Sequence, residues 1–418
     1  MDKIVYGLDF GTSNSAVAVL INGQVQVLPI GIGGNKTIPS VLFFPENEKC
    51  HYVGETAVSK YVSGDMKGRL MQSIKSFLPD SSFTGTIIRG FGFKTLEDLI
   101  SLILSAIKIK ADEIVGKDVR EVVLGRPALF SDKEEEDKVA EDRLRVAAEK
   151  AGFETIHFQK EPIAAAFHYA TSVTSPELAF VIDLGGGTSD FTLVRVRPGN
   201  STGDFNVDIL GVEGVYVGGN NFDSEIMWHK LVKYFGVNVR YKSWQRWLEM
   251  PVHLMRLLCT WHRIPLLKDT RTRDFFRELL HTADDMESIV RLRALVEENL
   301  GFSLFQAIER AKCGLSTEEV EEIKFNRSVI EVNEPIGRTE FEEMISEKIR
   351  EIRTCIDNLL LNSGFAASDV DSVFLTGGTS YVPKVRSVLS DKFGDQKIRT
   401  GDVFTSVVAG LALNSRLL

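Results

Sequence analysis

The stretch Tyr6-Gly7-Leu8-Asp9-Phe10-Gly11-Thr12-Ser13-Asn14-Ser15 decides how this chain is read. Ile4, Val5 and Tyr6 lead in as an apolar strand, the glycine- and hydroxyl-rich centre turns, and Ala16 to Ile21 returns as a second apolar run. The pattern is a β-hairpin whose turn offers backbone N–H groups, two small hydroxyls and one carboxylate. Such a concavity suits phosphate, and a carboxylate beside phosphate suits a divalent cation between them. A Gly-Thr-Ser turn alone is weak evidence, because hairpins that bind nothing also carry it.

A second copy strengthens the reading. Ala179 to Leu184 is an apolar run containing Asp183; Gly185-Gly186-Gly187-Thr188-Ser189-Asp190 follows, then the strand Phe191 to Val196. Asp9 matches Asp183, Gly11-Thr12-Ser13 matches Gly187-Thr188-Ser189, and Asn14 matches Asp190, which leaves two extra glycines in the second copy. Two copies of one device point to duplicated lobes facing each other, gripping a triphosphate from both sides with Asp9 and Asp183 around one metal. A Gly-Gly pair recurs at Gly218-Gly219 and at Gly377-Gly378 before Thr379, each between an apolar strand and a helix. Backbone approaches a ligand closely at such junctions, and helix N–H groups point outward. Two hairpins and two junctions make a nucleotide cleft the economical explanation.

The bulk properties agree. A length of 418 residues suits two domains or one bilobal domain, and 44% hydrophobic with 26% charged residues is ordinary for a globular chain. A net charge of -9 argues against nucleic acid as a partner. The four cysteines are scattered without a C-x-x-C pair, as expected of thiols in a reducing compartment. The apolar window Leu96 to Val115 carries six charges and reads as an amphipathic helix, so no membrane partner is expected and the default address is cytoplasmic. Thr95 is its N-cap and Gly116 its stop.

Two residues have bland and functional readings side by side. Lys75, between Ile74 and Phe77-Leu78, is either a lysine with its stem on apolar surface or an ammonium held over phosphate. Glu161-Pro162 opens an alanine-rich helix, which is good helix-start chemistry in any protein. Trp228 to Ser316 is helix-rich and holds all four tryptophans, read as core more readily than as interface; His253, Cys259 and His262 there match no common metal-site spacing. Val403 to Leu413 reads as a last helix packing back on the first lobe.

Taken together, L-D-F-G-T-S-N-S, E-P-I-A-A-A, D-L-G-G-G-T-S-D, V-G-G-N-N-F-D, E-R-A-K and L-T-G-G-T-S-Y-V-P resemble the nucleotide-binding domain of DnaK-type (heat shock protein 70) chaperones, within the actin-like ATPase superfamily. The strand-end G-R-P and the terminal V-F-T-S-V-V-A-G-L-A are similar to the divergent YegD-like branch. The resemblance implies an α/β, actin-like ATPase fold: two duplicated, ribonuclease-H-like lobes around a central nucleotide cleft, each with an added subdomain. Lobe one would span about 1–174, with an insertion at about 38–118 and a returning helix within 399–418. Lobe two would span about 175–398, with an enlarged helical subdomain at about 229–337.

It also implies ATP or ADP with Mg²⁺. Asp9, Asp183 and Asp190 would serve the metal, and Gly11, Thr12, Ser13, Asn14, Gly185, Gly186, Gly187 and Thr188 the phosphates. Lys75, Glu161, Asp183, Thr188 and Asp9 would carry slow hydrolysis to ADP and phosphate by positioning and charge. Gly218, Gly219, Glu309, Lys312, Ser316, Gly377, Gly378, Thr379 and Tyr381 would line ribose and base. A protein partner or co-chaperone would read the nucleotide state. Three departures stand out: Cys313 and Tyr381 occupy positions where the family sandwiches adenine between arginines, Glu135 replaces a relay arginine near Pro127, and, with the sequence ending at Leu418, the family's peptide-binding domain is not expected here. The alternatives are a small-molecule, sugar-type kinase of the same fold and an actin-like filament protein.

Overall fold

The structure is a computed structural model that describes residues 3–64, 67–198, 206–401 and 405–417. Its frame is two sheets of matching topology. In the first, Tyr6–Phe10 pairs antiparallel with Asn14–Ile21, which pairs with Gln24–Val27; on its other side Tyr6–Phe10 runs parallel to Glu121–Arg126, and that strand parallel to Thr155–Lys160. In the second, Glu177–Leu184 pairs antiparallel with Ser189–Arg197, which pairs with Asn206–Val215; on its other side it runs parallel to Ser372–Thr376, and that strand parallel to Ile398–Thr400. The two sheets therefore repeat the same strand order and the same sense of each pairing, the structural counterpart of the repeated motif.

Both faces of each sheet are covered, so the central strands read as nearly continuous apolar runs. Leu8, Phe10, Val17 and Val19 are buried on one side of the molecule, and Phe180, Ile182, Leu184, Phe191 and Leu193 on the other. Between the sheets lie two small-residue helices, Glu161–Ala170 and Ser406–Asn414. Ala164, Ala165, Ala166, Val407 and Leu411 share one buried cluster with Val5, Val123, Ala179, Val181 and Phe374 from both sheets. The packing is close enough to require glycine: a Cβ on Gly410 would lie 1.7 Å from the Ala164 carbonyl oxygen, and one on Gly7 would lie 2.3 Å from the Ala412 nitrogen. The expected last helix thus packs on the first lobe, beginning at Ser406; Val403 and Phe404 lie outside the described residues.

Two insertions rise above the frame. The first holds Leu42–Pro45, helix Glu55–Ser63, Gly68–Met71, the turn Ile74–Phe77 and helix Leu96–Val115. That last helix is fixed as its sequence predicts: Thr95 and Asp98 form a reciprocal capping box, and Gly116 ends it at φ 73°. The second insertion is helical but also contains two hairpins that sequence reading passes over, Arg240–Ser243 with Arg246–Glu249 and Val320–Arg327 with Ile330–Gly337. The first of these corrects the expectation of a tryptophan core. Trp244 sits at the hairpin tip at φ 56°, almost fully exposed, and Trp247 is exposed beside it, because strand Arg246–Glu249 is exposed along its whole length.

The insertions meet over the cleft. Tyr61 of the first donates from its hydroxyl to the Asn299 carbonyl oxygen of the second at 2.8 Å. Its ring packs edge-on against Phe302 with centroids 5.9 Å apart, and Phe302 packs against Trp261 at 5.3 Å.

Candidate functional site

The two hairpin turns face each other across a cavity of about 450 Å³, a size suited to a nucleotide. Hairpin register shows how they correspond. Phe10 pairs with Ser15 and Asp9 with Ala16; Leu184 pairs with Ser189 and Asp183 with Asp190. Both turns therefore have four residues, Gly11 to Asn14 and Gly185 to Thr188. The residue-letter match that gave the second copy two extra glycines is corrected: Gly11 corresponds to Gly185, Asn14 to Thr188, and Asp190 to Ala16. Pairing geometry, which fixes turn length, overrides the repeated Gly-Thr-Ser letters.

The turns approach closely. A Cβ on Gly186 would come within 2.5 Å of the Ser13 hydroxyl, and one on Gly187 within 3.2 Å of the Thr12 hydroxyl. Gly186 and Gly187 thus bring bare backbone against Ser13 and Thr12, an arrangement that can cradle phosphate oxygens. The Gly-Gly junctions join onto the same loop. Gly219 and Asn220 donate their N–H groups to the carbonyls of Gly185 and Gly186 at 3.2 and 2.8 Å, and the Thr379 hydroxyl donates to the Gly185 carbonyl at 2.7 Å. Of the residues singled out from sequence, all line the cavity except Gly218 and Asp190. Gly218 backs the loop, where a Cβ would clash with the Gly186 carbonyl at 2.6 Å. Asp190 lies behind the turn, accepting hydrogen bonds from the Ala128 N–H at 2.8 Å and from the Thr188 side chain.

At the floor, the ammonium of Lys75 donates to Glu161 Oε1 at 2.7 Å, with both side chains less than a tenth exposed. Ser73, at φ 55°, turns the chain so that the short helix Ile74–Phe77 aims Lys75 inward. The surrounding charge is unbalanced: Asp9, Asp183 and Asp190 each feel the charge of Glu161, while among the described residues Lys75 is the cation that acts on all three aspartates. Burial first, and then the charge on Glu161, pushes Asp9 and Asp190 up to about 7, and the same causes hold Asp183 well above the usual carboxylate range. Burial disfavours the Lys75 ammonium, but Glu161 and Asp9 outweigh it and its pKa is raised.

These observations test whether the site fits a magnesium nucleotide. Buried carboxylates held reluctant to ionise, glycine turns that a methyl group would fill, and one ammonium form a donor set that is short of positive charge and rich in anion-binding backbone. They fit. Among the described residues no three His, Cys, Asp or Glu side chains converge as direct metal ligands, so a cation shared by Asp9 and Asp183 would keep most of its water shell, as Mg²⁺ prefers. For His253, Cys259 and His262, the side chain of the last lies outside the described residues.

At the other end, Glu309, Lys312, Cys313 and Ser316 of helix Gly301–Gly314 and its C-terminal turn face Gly377, Gly378 and Tyr381. Sequence reading left Asp223 without a role. It is buried, and its Oδ1 lies 2.8 Å from Lys312 Nζ, which also donates to the Gly219 carbonyl at 3.1 Å. Asp223 thus ties Lys312 to the Gly-Gly junction; its place in V-G-G-N-N-F-D, one helical turn after Gly219, was the available signal. Thr37 and Asn220 also line the cavity without having been expected. Tyr381 and Cys313 are both exposed at the mouth, a planar ring and a thiol where a purine would lie.

Comparison with known proteins places this geometry. A family model described as Hsp70 protein matches residues 5–81, 88–244 and 269–418. The chain is similar to the chaperone protein DnaK of Mycoplasmopsis agalactiae, 25% identical over 425 aligned residues, covering all of this chain and 59% of the relative. It is likewise similar to the chaperone protein DnaK of Thermoplasma volcanium, at 26% over 431 residues and 59% of that protein, and to that of Cyanidioschyzon merolae, at 25% over 448 residues and 62%. The chain thus spans about 60% of the length of these relatives. The unmatched stretch 245–268 falls in the second insertion.

Proposed function

Because the chain belongs to the Hsp70 family and has its actin-like ATPase fold, we propose that it is a nucleotide-binding module that takes up magnesium ATP, hydrolyses it slowly and presents its nucleotide state to a protein partner. The observation that carries this reading is the convergence of both Asp-Gly hairpins, both Gly-Gly junctions and the Lys75–Glu161 pair on one cavity.

The roles follow from position. Gly11 to Asn14 and Gly185 to Thr188 hold the phosphates from opposite sides, with Asp9 and Asp183 holding Mg²⁺ through its waters. The ion, when bound, supplies charge that neutralises the phosphates. Lys75, oriented by Glu161, adds a fixed positive charge at the terminal phosphate and orders the attacking water. Thr188 turns its hydroxyl from Asp190 toward the phosphate, and Asp190 holds the back of the turn. Gly219, Glu309, Lys312, Ser316, Gly377 and Gly378 line ribose and base, where Tyr381 offers a stacking face and Cys313 none. Nothing in this set forms a covalent intermediate; catalysis rests on placement and charge alone, which sets a slow unaided rate.

The test is phosphate release from ATP and magnesium by the purified chain. Slow release without any added metabolite supports the proposal. Release that requires a metabolite acceptor supports a small-molecule kinase, against which the buried Lys75 stands because it fills the acceptor side. Nucleotide-dependent sedimentation supports a filament protein.

A further inference from the structure

Beneath the Tyr61–Phe302 contact lies a second, smaller cavity of about 30 Å³, lined among others by Tyr61, Arg69, Trp261, Lys268, Asn299 and Phe302. Two cations enter it from opposite insertions. Arg69 comes from strand Gly68–Met71 of the first, and Lys268 from the last turn of the Trp261–Lys268 helix of the second. Neither has a carboxylate within ion-pair distance among the described residues. Lys268 donates only to neutral oxygens, the Asn299 side-chain oxygen at 2.6 Å and the Glu297 carbonyl at 3.3 Å. The Arg69 Nε is fully enclosed and has no acceptor among the described residues. Glu297, whose charge acts on Lys268, spends its carboxylate on Arg293 at 3.2 Å, and Arg273 adds a further positive charge.

Folded chains rarely enclose a guanidinium N–H without a partner, and rarely bring two cations together without an anion. We propose that Arg69 and Lys268 form a binding site for a free phosphate-class oxyanion, which bridges the two insertions and holds the nucleotide cleft closed. The guanidinium fork and the ammonium present donors to such an ion from two sides. A cavity this small takes one inorganic group and no larger ligand. Burial and the facing Arg69 also lower the Lys268 pKa, as expected of a cation lacking its counter-charge. Lys268 lies in the stretch 245–268 that the family model leaves unmatched, whereas Arg69 lies in the matched stretch 5–81. The anion would complete its contacts only when the insertions meet, so its binding and cleft closure reinforce each other.

The test loads the cleft with magnesium and a fluorescent, non-hydrolysable ATP analogue, so that the terminal-phosphate position is filled. Inorganic phosphate is then exchanged for chloride at fixed ionic strength, and release of the analogue is followed. At phosphate tenfold above its dissociation constant, release slows about tenfold, and the dependence saturates. Arg69→Gln and Lys268→Gln each remove the dependence while releasing the analogue at the phosphate-free wild-type rate. Phosphate-independent release by the wild type, or an equal dependence in both variants, overturns the proposal. A melting-temperature titration of the nucleotide-free chain separates this site from the proposed function. A saturable rise lost in both variants establishes the anion site even where the cleft binds no nucleotide, and no rise overturns it.

Discussion

Replacing Lys75 with alanine should split stability, binding and catalysis in a specific way. The ammonium is 2.7 Å from Glu161 and acts on the buried carboxylates Asp9, Asp183 and Asp190. Removing one partner of a buried pair typically costs about 3–5 kcal/mol, since the other charge is stranded. Here part of that is recovered, because Asp9 and Asp190 are already pushed up to about 7 and one of them takes up a proton. Roughly 3 kcal/mol remains for the nucleotide-free chain. With an unfolding entropy of about 2.1 cal/mol/K per residue over 418 residues, the melting point falls by about 3–4 °C. Magnesium ADP should restore most of it, because a ligand that binds only the folded chain stabilises it and Mg²⁺ would lie beside the stranded carboxylates. Hydrolysis loses a fixed positive charge at the reacting phosphate, worth about 10²–10³ in rate, while affinity for ATP stays within a few-fold because the glycine turns hold the phosphates. Single-turnover phosphate release, calorimetric ATP binding and thermal melts read the three quantities. Turnover within threefold of wild type with unchanged affinity would remove Lys75 from the mechanism.

Three further outcomes follow from named contacts. Asp9 and Asp190 are raised from an ordinary 3.8 to about 7, so the folded state binds more protons than the unfolded one between about pH 4 and 7. Stability of the nucleotide-free chain therefore falls as pH rises through that window, by up to about 4 kcal/mol for either carboxylate. Denaturant melts at pH 5 and 7.5 should show a loss that is smaller in Asp9→Asn and flattened by magnesium ADP; identical slopes in both proteins refute it. Gly186→Ala puts a methyl 2.5 Å from the Ser13 hydroxyl, a side chain that can swing aside. ADP affinity should drop at least tenfold with the melting point nearly unchanged, and an unaltered affinity in calorimetry counts against the two-turn cradle. Tyr61→Phe removes the hydrogen bond to Asn299, worth about 1 kcal/mol. Stopped-flow release of a fluorescent ADP should then be about fivefold faster, and an unchanged rate means that the insertions do not gate the cleft.

The frame and the two facing turns that line the cavity were legible because their signals are local. A turn between two apolar runs carries its glycines, hydroxyls and aspartate within ten residues, and the strand pairing around Asp9 and Asp183 then follows. What local letters could not convey was register: aligning Gly-Thr-Ser by identity displaced Asn14 onto Asp190, whereas equal turn lengths place it opposite Thr188. The second insertion was less legible for another reason. Arg240–Ser243 and Arg246–Glu249 are four-residue strands joined at a tryptophan, with no glycine or asparagine to announce the turn. Contacts distant in sequence left no mark at all. Asn299 accepts from Tyr61 across 238 positions, and neither residue type advertises the other.

Charge explains why these distant contacts matter to the site. Four carboxylates share a buried floor with one ammonium, so without ligand the lobes hold a field that favours opening or proton uptake. Tyr61, Phe302 and Trp261 act against that opening from the roof, with apolar packing that does not depend on charge. On the proposed function, Mg²⁺ between the phosphates and Asp9 and Asp183 would offset the repulsion among these carboxylates, while the glycine turns would take up the phosphate charge. Roof and floor would then act together, so ligand would shift the balance further toward the closed arrangement in which Tyr61 reaches Asn299. The roof alone need be no stronger than the few kcal/mol of an aromatic cluster and one hydrogen bond. That scale is small enough for a partner gripping either insertion to reverse it.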